Sequence, residues 1–409
     1  MTQPLTGLKV LDFSEHYFVP ASAAVLAEWG ADVIKIERRE GDALRDIGFL
    51  PEHGFSYYFA LCNRNKRGIA LDVEVPEGRA IFERLVQDAD VYITNHLPRV
   101  QRRLRTTAAD VFAINPKIVY ARGSGQGQRG PDAELGGNDN LAFWSRSAVA
   151  YMLSDDSGDI IPQRGAIGDG PSGIALAAGI LAALFHAKRS DKGVEVNASL
   201  FGMGMWTVAP DIALTSLTGE VPARRPAPAG GSDMPPGTAL SARYTTADGR
   251  TLAFSMTNEE RYWPRACRAL GLDDLIEKYA DPAERHAKTD DLRDRFALAV
   301  AGMTTEHVVE RLRNEDCVFG FINSPLDVLS DQQAEANGYL LTHPELPSLK
   351  LPAVPAQFDD SLPRIVRGAP ALGEHSQEIV RELGYSPDSI AALVADGVIG
   401  AMPDAPPRH

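Results

Sequence analysis

An aspartate held between two glycines opens the longest apolar segment of the chain, RGAIGDGPSGIALAAGILAALFHAKRSDKG, Arg164 to Gly193. Asp169 stands directly before an Ala-rich helical pattern, where an aspartate ordinarily acts as the N-cap. The same place suits a nucleophile, because the positive end of a helix keeps a carboxylate ionised and its backbone N–H groups can stabilise an oxyanion. Gly168 and Gly170 would leave room for a substrate on either side. The residues alone leave both roles open.

Other catalytic signatures are incomplete. Ser172 lacks the second glycine of a serine nucleophile elbow, since Ile174 holds that place. The first strand–helix turn, DFSEHYFVP, has no glycine, and GSGQGQRG has Gln128 where a dinucleotide-binding motif needs its third glycine. The histidines form no metal-binding pattern, and the three cysteines are too far apart for one. We therefore expect no serine hydrolase, no nicotinamide enzyme and no metal site.

The composition describes an ordinary soluble protein with room for two domains. The 409 residues are 44% hydrophobic and 23% charged, with a formal net charge of −14. That charge repels polyanions, so we expect neither nucleic acid nor a membrane as partner. The N-terminus lacks a signal-peptide pattern, and the apolar run GIALAAGILAALFHA is too short to span a bilayer. The few, scattered cysteines fit the cytoplasm, where we expect the protein.

Strand-like and amphipathic segments alternate through the first half of the chain. Repeated strand–helix units of this kind predict an α/β fold with a mostly parallel sheet covered by helices on both faces. Strands are expected at LKVLDF, ADVIKIE, DVYITN, PKIVYARG and VEVNASL, and helices at PASAAVLAEWG, PEGRAIFERLVQDA, TAADVFAIN and after Asp169.

Changes in composition set the expected domain boundaries. Residues 1–218 are expected to form the first part of a large domain, and the Pro- and Gly-rich residues 219–237 a linker. A smaller α+β domain is expected over 238–335, where an Asp-Gly pair predicts a hairpin. Residues 336–409 carry two helical patterns and are expected to return to the large domain and pack there.

Several motifs together resemble one family. LDFSEHYFVPASAAVLAEWGADVIKIERREGD, NRNKRGIALDVEVPEGR, ADVYITNHLP, the Asp169 segment and ALGEHSQEIVRELGY occur in this order. They are similar to the class III coenzyme A transferases, which include formyl-CoA and carnitine CoA-transferases, with α-methylacyl-CoA racemase as a relative. The resemblance implies a large domain with a Rossmann-like sheet, a smaller domain, a returning C-terminal segment and an interlocked homodimer.

The resemblance also implies a covalent mechanism on Asp169. In the transferases the aspartate of the GD motif attacks an acyl-CoA thioester to give a mixed anhydride. The CoA thiolate then takes over the aspartyl group, and the acceptor carboxylate regenerates acyl-CoA. A carboxylate suits this work, because it is a nucleophile and, once acylated, a leaving group. The implied substrates are an acyl-CoA and a carboxylic acid, with no permanently bound cofactor and no metal.

Binding positions follow from the same resemblance. Arg38 and Arg103 supply the local cations that CoA phosphates need in an acidic protein. Glu74 stands where formyl-CoA transferase has a lysine, so that contact is lost. An acyl pocket is expected at Asp139 and Trp144. The expected CoA-binding residues are His16, Tyr17, Phe18, Arg38, Leu71, Asn95, His96, Leu97, Arg103 and Asn138.

Two alternative functions stay open at this point. Racemases of the family carry a catalytic histidine in a GHD segment, and here GGNDNLAFW places Asn138 at that position. An amide cannot act as a general base near neutral pH, which favours transferase over racemase. The segment also resembles members that act on aryl or bulky cyclic acids. A scaffold that binds CoA without catalysis is the second alternative.

Overall fold

The computed structural model describes residues 3–155, 159–222, 238–359 and 363–400. The chain divides into two compact units. The first comprises Met1–Met152, Ile161–Pro222 and Gln332–His409, and the second Leu153–Ile160 and Ala223–Asp331. Most of the expected linker 219–237, and the last nine residues of the expected return segment 336–409, lie outside the described residues.

A parallel sheet forms the centre of the first unit, which confirms the predicted fold class. Its strands are β1 (Lys9–Phe13), β2 (Asp32–Glu37), β3 (Arg67–Ala70), β4 (Val91–Thr94), β5 (Val119–Ser124) and β6 (Val194–Ser199). Within the described residues these strands lie in the order β3-β2-β1-β4-β5-β6, and every neighbouring pair is parallel. The order reverses between β1 and β4, as in a doubly wound sheet.

Helices cover both faces of this sheet and bury two apolar clusters against it. One cluster gathers the inner faces of the helices Phe18–Glu28 and Asp169–Ser190, and the other that of the helix Pro76–Asp88. The helices are α1 (Phe18–Glu28), α2 (Tyr57–Asn63), α3 (Pro76–Asp88), α4 (Pro98–Leu104), α5 (Ala108–Ile114), a π-helix (Asp139–Ser145), α6 (Val149–Leu153), α7 (Asp169–Ser190), α8 (Leu200–Thr207) and α9 (Ala209–Thr218). A 3₁₀ turn (Ala43–Arg45) and a two-residue ladder (Phe49–Leu50 with Phe55–Ser56) follow β2.

Helix α7 packs closely on α1 through Gly173. A Cβ atom there would lie 3.0 Å from both the Ala21 Cβ and the Phe18 carbonyl oxygen. By length and composition alone α7 could cross a membrane, a test that the core helix of a soluble protein also passes. The expectation that the segment is too short therefore does not hold, because the helix extends beyond the apolar run to 22 residues. Leu176 and Ile180 on its inner face are fully buried in the core of the unit.

The second unit contains an antiparallel sheet and helices around its own apolar core. The predicted hairpin is confirmed, since β7 (Arg243–Thr245) pairs antiparallel with β8 (Thr251–Phe254) and Gly249 in the turn has φ 81°. The remaining elements are a 3₁₀ turn (Ala239–Ser241), α10 (Glu259–Leu270), α11 (Asp274–Lys278), α12 (Pro282–Ala287), α13 (Thr289–Ala301), α14 (Thr305–Asn314), β9 (Phe319–Phe321), which pairs with β8, and α15 (Pro325–Leu329).

The C-terminal part of the chain belongs to the first unit and covers the edge strand β3. The N–H of His375 donates to the Gly68 carbonyl at 2.9 Å, and the N–H of Gly400 donates to the Ala70 carbonyl at 2.9 Å. These bonds occupy backbone groups that an open sheet edge would expose. The elements are α16 (Gln332–Ala336), β10 (Leu340–Thr342) paired with β11 (Lys350–Pro352), α17 (Ser376–Glu382) and α18 (Pro387–Ala395).

Candidate active site

A cavity of about 1100 Å³ opens at the carboxyl ends of the parallel strands of the first unit. Its walls are the segments that follow β1 to β5 together with the first residue of α7. Open parallel sheets bind their ligands at this edge. The ten expected CoA-binding residues all line the cavity, and so do Asp139 and Asp169.

The loops that follow β1 and β4 are joined at the point where the strand order reverses. The side-chain amide of Asn95 donates to the Glu15 carbonyl at 2.6 Å, and the Glu15 N–H donates back to Asn95 Oδ1 at 2.9 Å. Asn95, expected to bind CoA, thus uses its amide to hold two cavity walls together. Sequence reasoning missed Glu15, although it lies in the quoted DFSEHYF motif.

Asp169 is the first residue of α7 and does not cap it. Gly168 holds the N-cap position, and no side chain makes a capping hydrogen bond there. Ser172 one turn later is buried, and its hydroxyl donates to the Gly168 carbonyl at 2.7 Å. The serine is thus an ordinary first-turn residue, and the Asp169 carboxylate is left facing the cavity with no hydrogen bond from the described residues.

A second carboxylate, Asp139 at the start of the π-helix, occupies the N-terminus of α7. Its two oxygens accept from the Gly168 N–H at 3.1 and 3.2 Å, and the N–H groups of Ile167 and Asp169 also donate to it. These are the donors that the sequence suggested for an oxyanion, and Asp139 takes them instead. The helix dipole at this end therefore stabilises Asp139 first.

The ionisation of Asp169 also differs from the expectation. Burial, together with the smaller effect of the nearby Asp139 charge, raises the pKa of its carboxyl to about 7. Burial disfavours the charged form, and a like charge adds to that cost. The helix N-terminus does not hold this carboxylate ionised in the way the sequence suggested, because Asp139 has the closer backbone donors.

The two glycines around Asp169 have different surroundings. A Cβ on Gly168 would collide with the Phe143 ring and the Asp139 carboxylate, whereas a Cβ on Gly170 would meet nothing within 4 Å. Gly168 is thus required for close packing under the helix start. The expected open space beside Asp169 exists on the Gly170 side alone.

A buried ion pair holds the loop that carries His16. Lys35 Nζ donates to Asp42 Oδ2 and to the Ser14 carbonyl, both at 2.9 Å, and both charged side chains are fully buried. Asp42 Oδ1 accepts from the His16 N–H at 3.0 Å, and His16 has φ 66°. The pair therefore stabilises a left-handed residue that lines the cavity. A lysine between the apolar residues Ile34 and Ile36 of β2 was the sequence signal for this pair.

His96 lines the cavity as a neutral ring. Burial, with Lys35 and Arg103 adding to it, lowers the pKa of His96 to about 4. Its Nδ1 is buried and has no hydrogen-bond partner among the described residues. A buried polar atom without a partner is costly, so this nitrogen is suited to a hydrogen bond with a ligand.

The two expected cations line the cavity, and one expected acyl-pocket residue does not. Arg38 and Arg103 both line the cavity. Trp144 is absent from the described lining and lies buried in the apolar core cluster of α1 and α7. Tyr17 and Tyr58 instead supply aromatic rings there, with centroids 5.9 Å apart. Among the described residues no group of three His, Cys, Asp or Glu side chains is arranged to hold a metal.

The fold and the site define an α/β protein with a cavity at the switch point of a parallel sheet, large enough for a nucleotide-containing ligand. Its described lining includes the Asp169 carboxylate and four arginines, Arg38, Arg39, Arg103 and Arg122. The family model for CoA-transferase family III matches residues 5–376. The chain belongs to this family, and it is an enzyme of the CoA-transferase class.

Named relatives resemble the chain over nearly its whole length. It is 27% identical over 394 residues to (R)-2-hydroxy-4-methylpentanoate CoA-transferase of Clostridioides difficile, covering 94% of this chain and 97% of the relative. It is also 27% identical to cinnamoyl-CoA:phenyllactate CoA-transferase of Clostridium sporogenes, covering 97% of each. A CAIB/BAIF family protein from Brucella suis has a similar structure, with a TM-score of 0.80 and 26% identity, covering 94% of this chain and 100% of the other.

Proposed function

We propose that the protein moves CoA from an acyl-CoA donor to a carboxylic acid through covalent intermediates on Asp169. The observation that carries this proposal is the position of that carboxylate: it lines the cavity, it does not cap its helix, and no described residue hydrogen-bonds to it. A carboxylate that neither caps a helix nor accepts a hydrogen bond from its surroundings is available for covalent chemistry.

The reaction is written on Asp169 in four balanced steps. An Asp169 oxygen attacks the thioester carbonyl carbon. The C–S bond breaks, CoA departs as the thiolate, and the acyl group is now joined to Asp169 as a mixed anhydride. The thiolate attacks the aspartyl carbonyl and releases the donor acid as a carboxylate. The acceptor carboxylate then attacks the aspartyl thioester, which frees the thiolate and forms a second mixed anhydride. The thiolate attacks the acceptor's carbonyl carbon in this anhydride, which gives the new acyl-CoA and releases the Asp169 carboxylate. No net proton is taken up or released.

Particular side chains of the cavity are proposed to bind particular parts of the acyl-CoA. The two arginines, Arg38 and Arg103, are proposed to hold CoA phosphates, because guanidinium groups match phosphate geometry. The acyl group is proposed to lie against Tyr17 and Tyr58. Both side chains are close enough to Asp169 for its charge to contribute to the rise in their pKa. The two named relatives act on acids with apolar side chains and a hydroxyl group, and aromatic walls favour acids of that kind.

Asn138 supports transfer over racemisation. Its side-chain oxygen accepts from the Leu141 N–H at 3.1 Å and so starts the π-helix. An amide engaged in this way removes no α-proton. The site therefore offers no base at the position where racemases of the family carry histidine.

A cytoplasmic homodimer is the proposed working form. Trp206 and Leu217 on α8 and α9 are 76% and 86% exposed in the single chain, and Phe185 on α7 is 66% exposed. Large apolar side chains grouped on neighbouring helices are typical of a surface covered by a partner. Sedimentation of the purified protein is expected to give a dimer, and a monomer would contradict this part of the proposal.

The test is to trap the aspartyl intermediate. The protein is mixed with a panel of acyl-CoAs, including aryl and 2-hydroxyacyl thioesters, and quenched with hydroxylamine before peptide mass spectrometry. A hydroxamate on Asp169 is expected with the true donors, and it should persist in Asp139→Asn but not in Asp169→Asn. An unmodified Asp169 across a panel whose members bind would overturn the mechanism.

A further inference from the structure

Two arginines of the cavity are loosely paired with carboxylates of the same cavity. Arg38 Nε lies 3.6 Å from Glu15 Oε1, and Arg103 Nε lies 3.4 Å from Glu74 Oε1. All four side chains line the cavity. Both distances exceed the roughly 2.7–3.2 Å of a good N–H···O hydrogen bond. These contacts are therefore electrostatic pairs. The Arg38 Nε–H donates to the Gly41 carbonyl at 3.0 Å, and the other guanidinium N–H groups of the two arginines donate to no described residue.

A neighbouring pair outside the cavity shows the contrast. Arg102, one residue before Arg103 on α4, donates to both oxygens of Glu134 at 2.9 and 3.1 Å. Neither Arg102 nor Glu134 belongs to the described lining. The same helix thus carries one arginine that makes two hydrogen bonds to a carboxylate, and one, facing the cavity, that makes an ion pair without a hydrogen bond. The loose pairing of Arg103 is therefore not shared by its neighbour on α4.

We propose that Glu15 and Glu74 are displaceable counter-ions that set how tightly the cavity holds the phosphate groups of CoA. The inference rests on the proposed function, which makes CoA the ligand. An arriving phosphate takes the free guanidinium donors, since a phosphate oxyanion accepts from arginine more strongly than a distant carboxylate does. Each displaced carboxylate then lies beside a second anion, and that repulsion is subtracted from the affinity.

The consequence is that these four side chains are neutral as a set when the cavity is empty, and that they limit the affinity when it is filled. Without Glu15 and Glu74, two exposed guanidinium groups would face the ligand unopposed, and the thioester product would leave more slowly. With them, release of the phosphate restores two ion pairs. Glu15 and Glu74 are thus affinity-setting residues that never need to touch the reacting atoms.

The experiment measures CoA binding by calorimetry for the wild type and for Glu15→Gln, Glu74→Gln and the double variant. All the changed side chains are at least partly exposed, so each variant is expected to fold. A charge at about 4 Å in water is worth about 1 kcal/mol, so each single variant should bind CoA about fivefold more tightly at low salt. The gain should shrink in about 0.5 M salt, because exposed charges are screened.

Glu134→Gln is the matched control, because it removes a carboxylate from a better-formed arginine pair on the same helix outside the cavity. Its dissociation constant for CoA should equal that of the wild type. Equal or weaker CoA binding by both cavity variants would overturn the inference while leaving CoA binding itself intact. A wild-type protein that binds neither CoA nor any acyl-CoA would instead overturn the proposed function, and this inference with it.

Discussion

Asp139 lies with its carboxylate 3.1 Å from the Gly168 N–H, directly beside the residue proposed to react, Asp169. Asp139 takes the backbone donors at the start of α7, and these partly oppose the rise in its pKa that burial causes. Asp169 is left half-buried, facing the cavity, with its pKa raised to about 7 and no such donor. The two acids therefore have different electrostatic environments although they lie side by side. Neighbouring acids in different environments commonly divide the roles in a reaction.

The pH dependence of the first step should reveal this pairing. Asp169 attacks as a carboxylate, so release of CoA from the donor should rise with pH and level off above its pKa of about 7. Replacing Asp139 by Asn removes a like charge, lowers the pKa of Asp169, and should move the rising limb to lower pH. Because burial is the larger cause, the limb should still lie above the ordinary range of an aspartate.

The measurement is a stopped-flow pH profile of thiol release in a single turnover. A limb at the same pH in wild type and Asp139→Asn would show that Asp139 does not influence the ionisation of Asp169. A limb that moves upward in the variant would contradict the sign of the interaction.

Asp169→Asn should stabilise the protein at high pH. The pKa of Asp169 is about 7 in the folded chain, against about 3.9 unfolded, so the folded state binds this proton more tightly. Stability from this group is complete below about pH 4 and is lost as pH rises toward 7. The neutral amide avoids that loss, and we expect a gain of about 2 kcal/mol at pH 8, discounted for the partial exposure of the site.

Urea unfolding at pH 8 and at pH 4 checks this expectation, and the same variant serves as its own control. The gain should vanish at pH 4, where both proteins carry a neutral group at position 169. A variant less stable than the wild type at pH 8 would show that Asp169 makes favourable contacts as an anion.

The glycines beside Asp169 should respond differently to alanine. Gly168→Ala places a methyl group against the Phe143 ring and the Asp139 carboxylate, and we expect a loss of about 1–3 kcal/mol from overpacking. Gly170→Ala enters open space within the first turn of α7, where alanine is the better helix former, so stability should stay level or rise. The denaturant midpoints of the two variants measure this difference. Equal losses of stability in both variants would contradict the prediction.

Much of the sheet could be predicted from local patterns, and one strand could not. The apolar runs around Val10, Ile34 and Ile93 are long enough to indicate buried parallel strands. Strand β3 contains only Arg67–Ala70, with a glycine and an alanine among its four residues, and it was not predicted. Its pairing with β2 and its cover by the C-terminal segment make it a strand, and neither contact is visible in a short window of sequence.

The order of residues along the chain determined that a reactive-looking carboxylate would begin an apolar helix, and that strands and helices would alternate around it. Those features depend on neighbours a few residues away, where propensity and periodicity act. Only the tertiary structure decided that Asp139, thirty residues earlier, takes the donors of that helix, that Trp144 packs into the core, and that Glu15 and Glu74 face the two arginines. Charges and volumes brought together from distant segments act through space, so their effects are absent from any local pattern of residues.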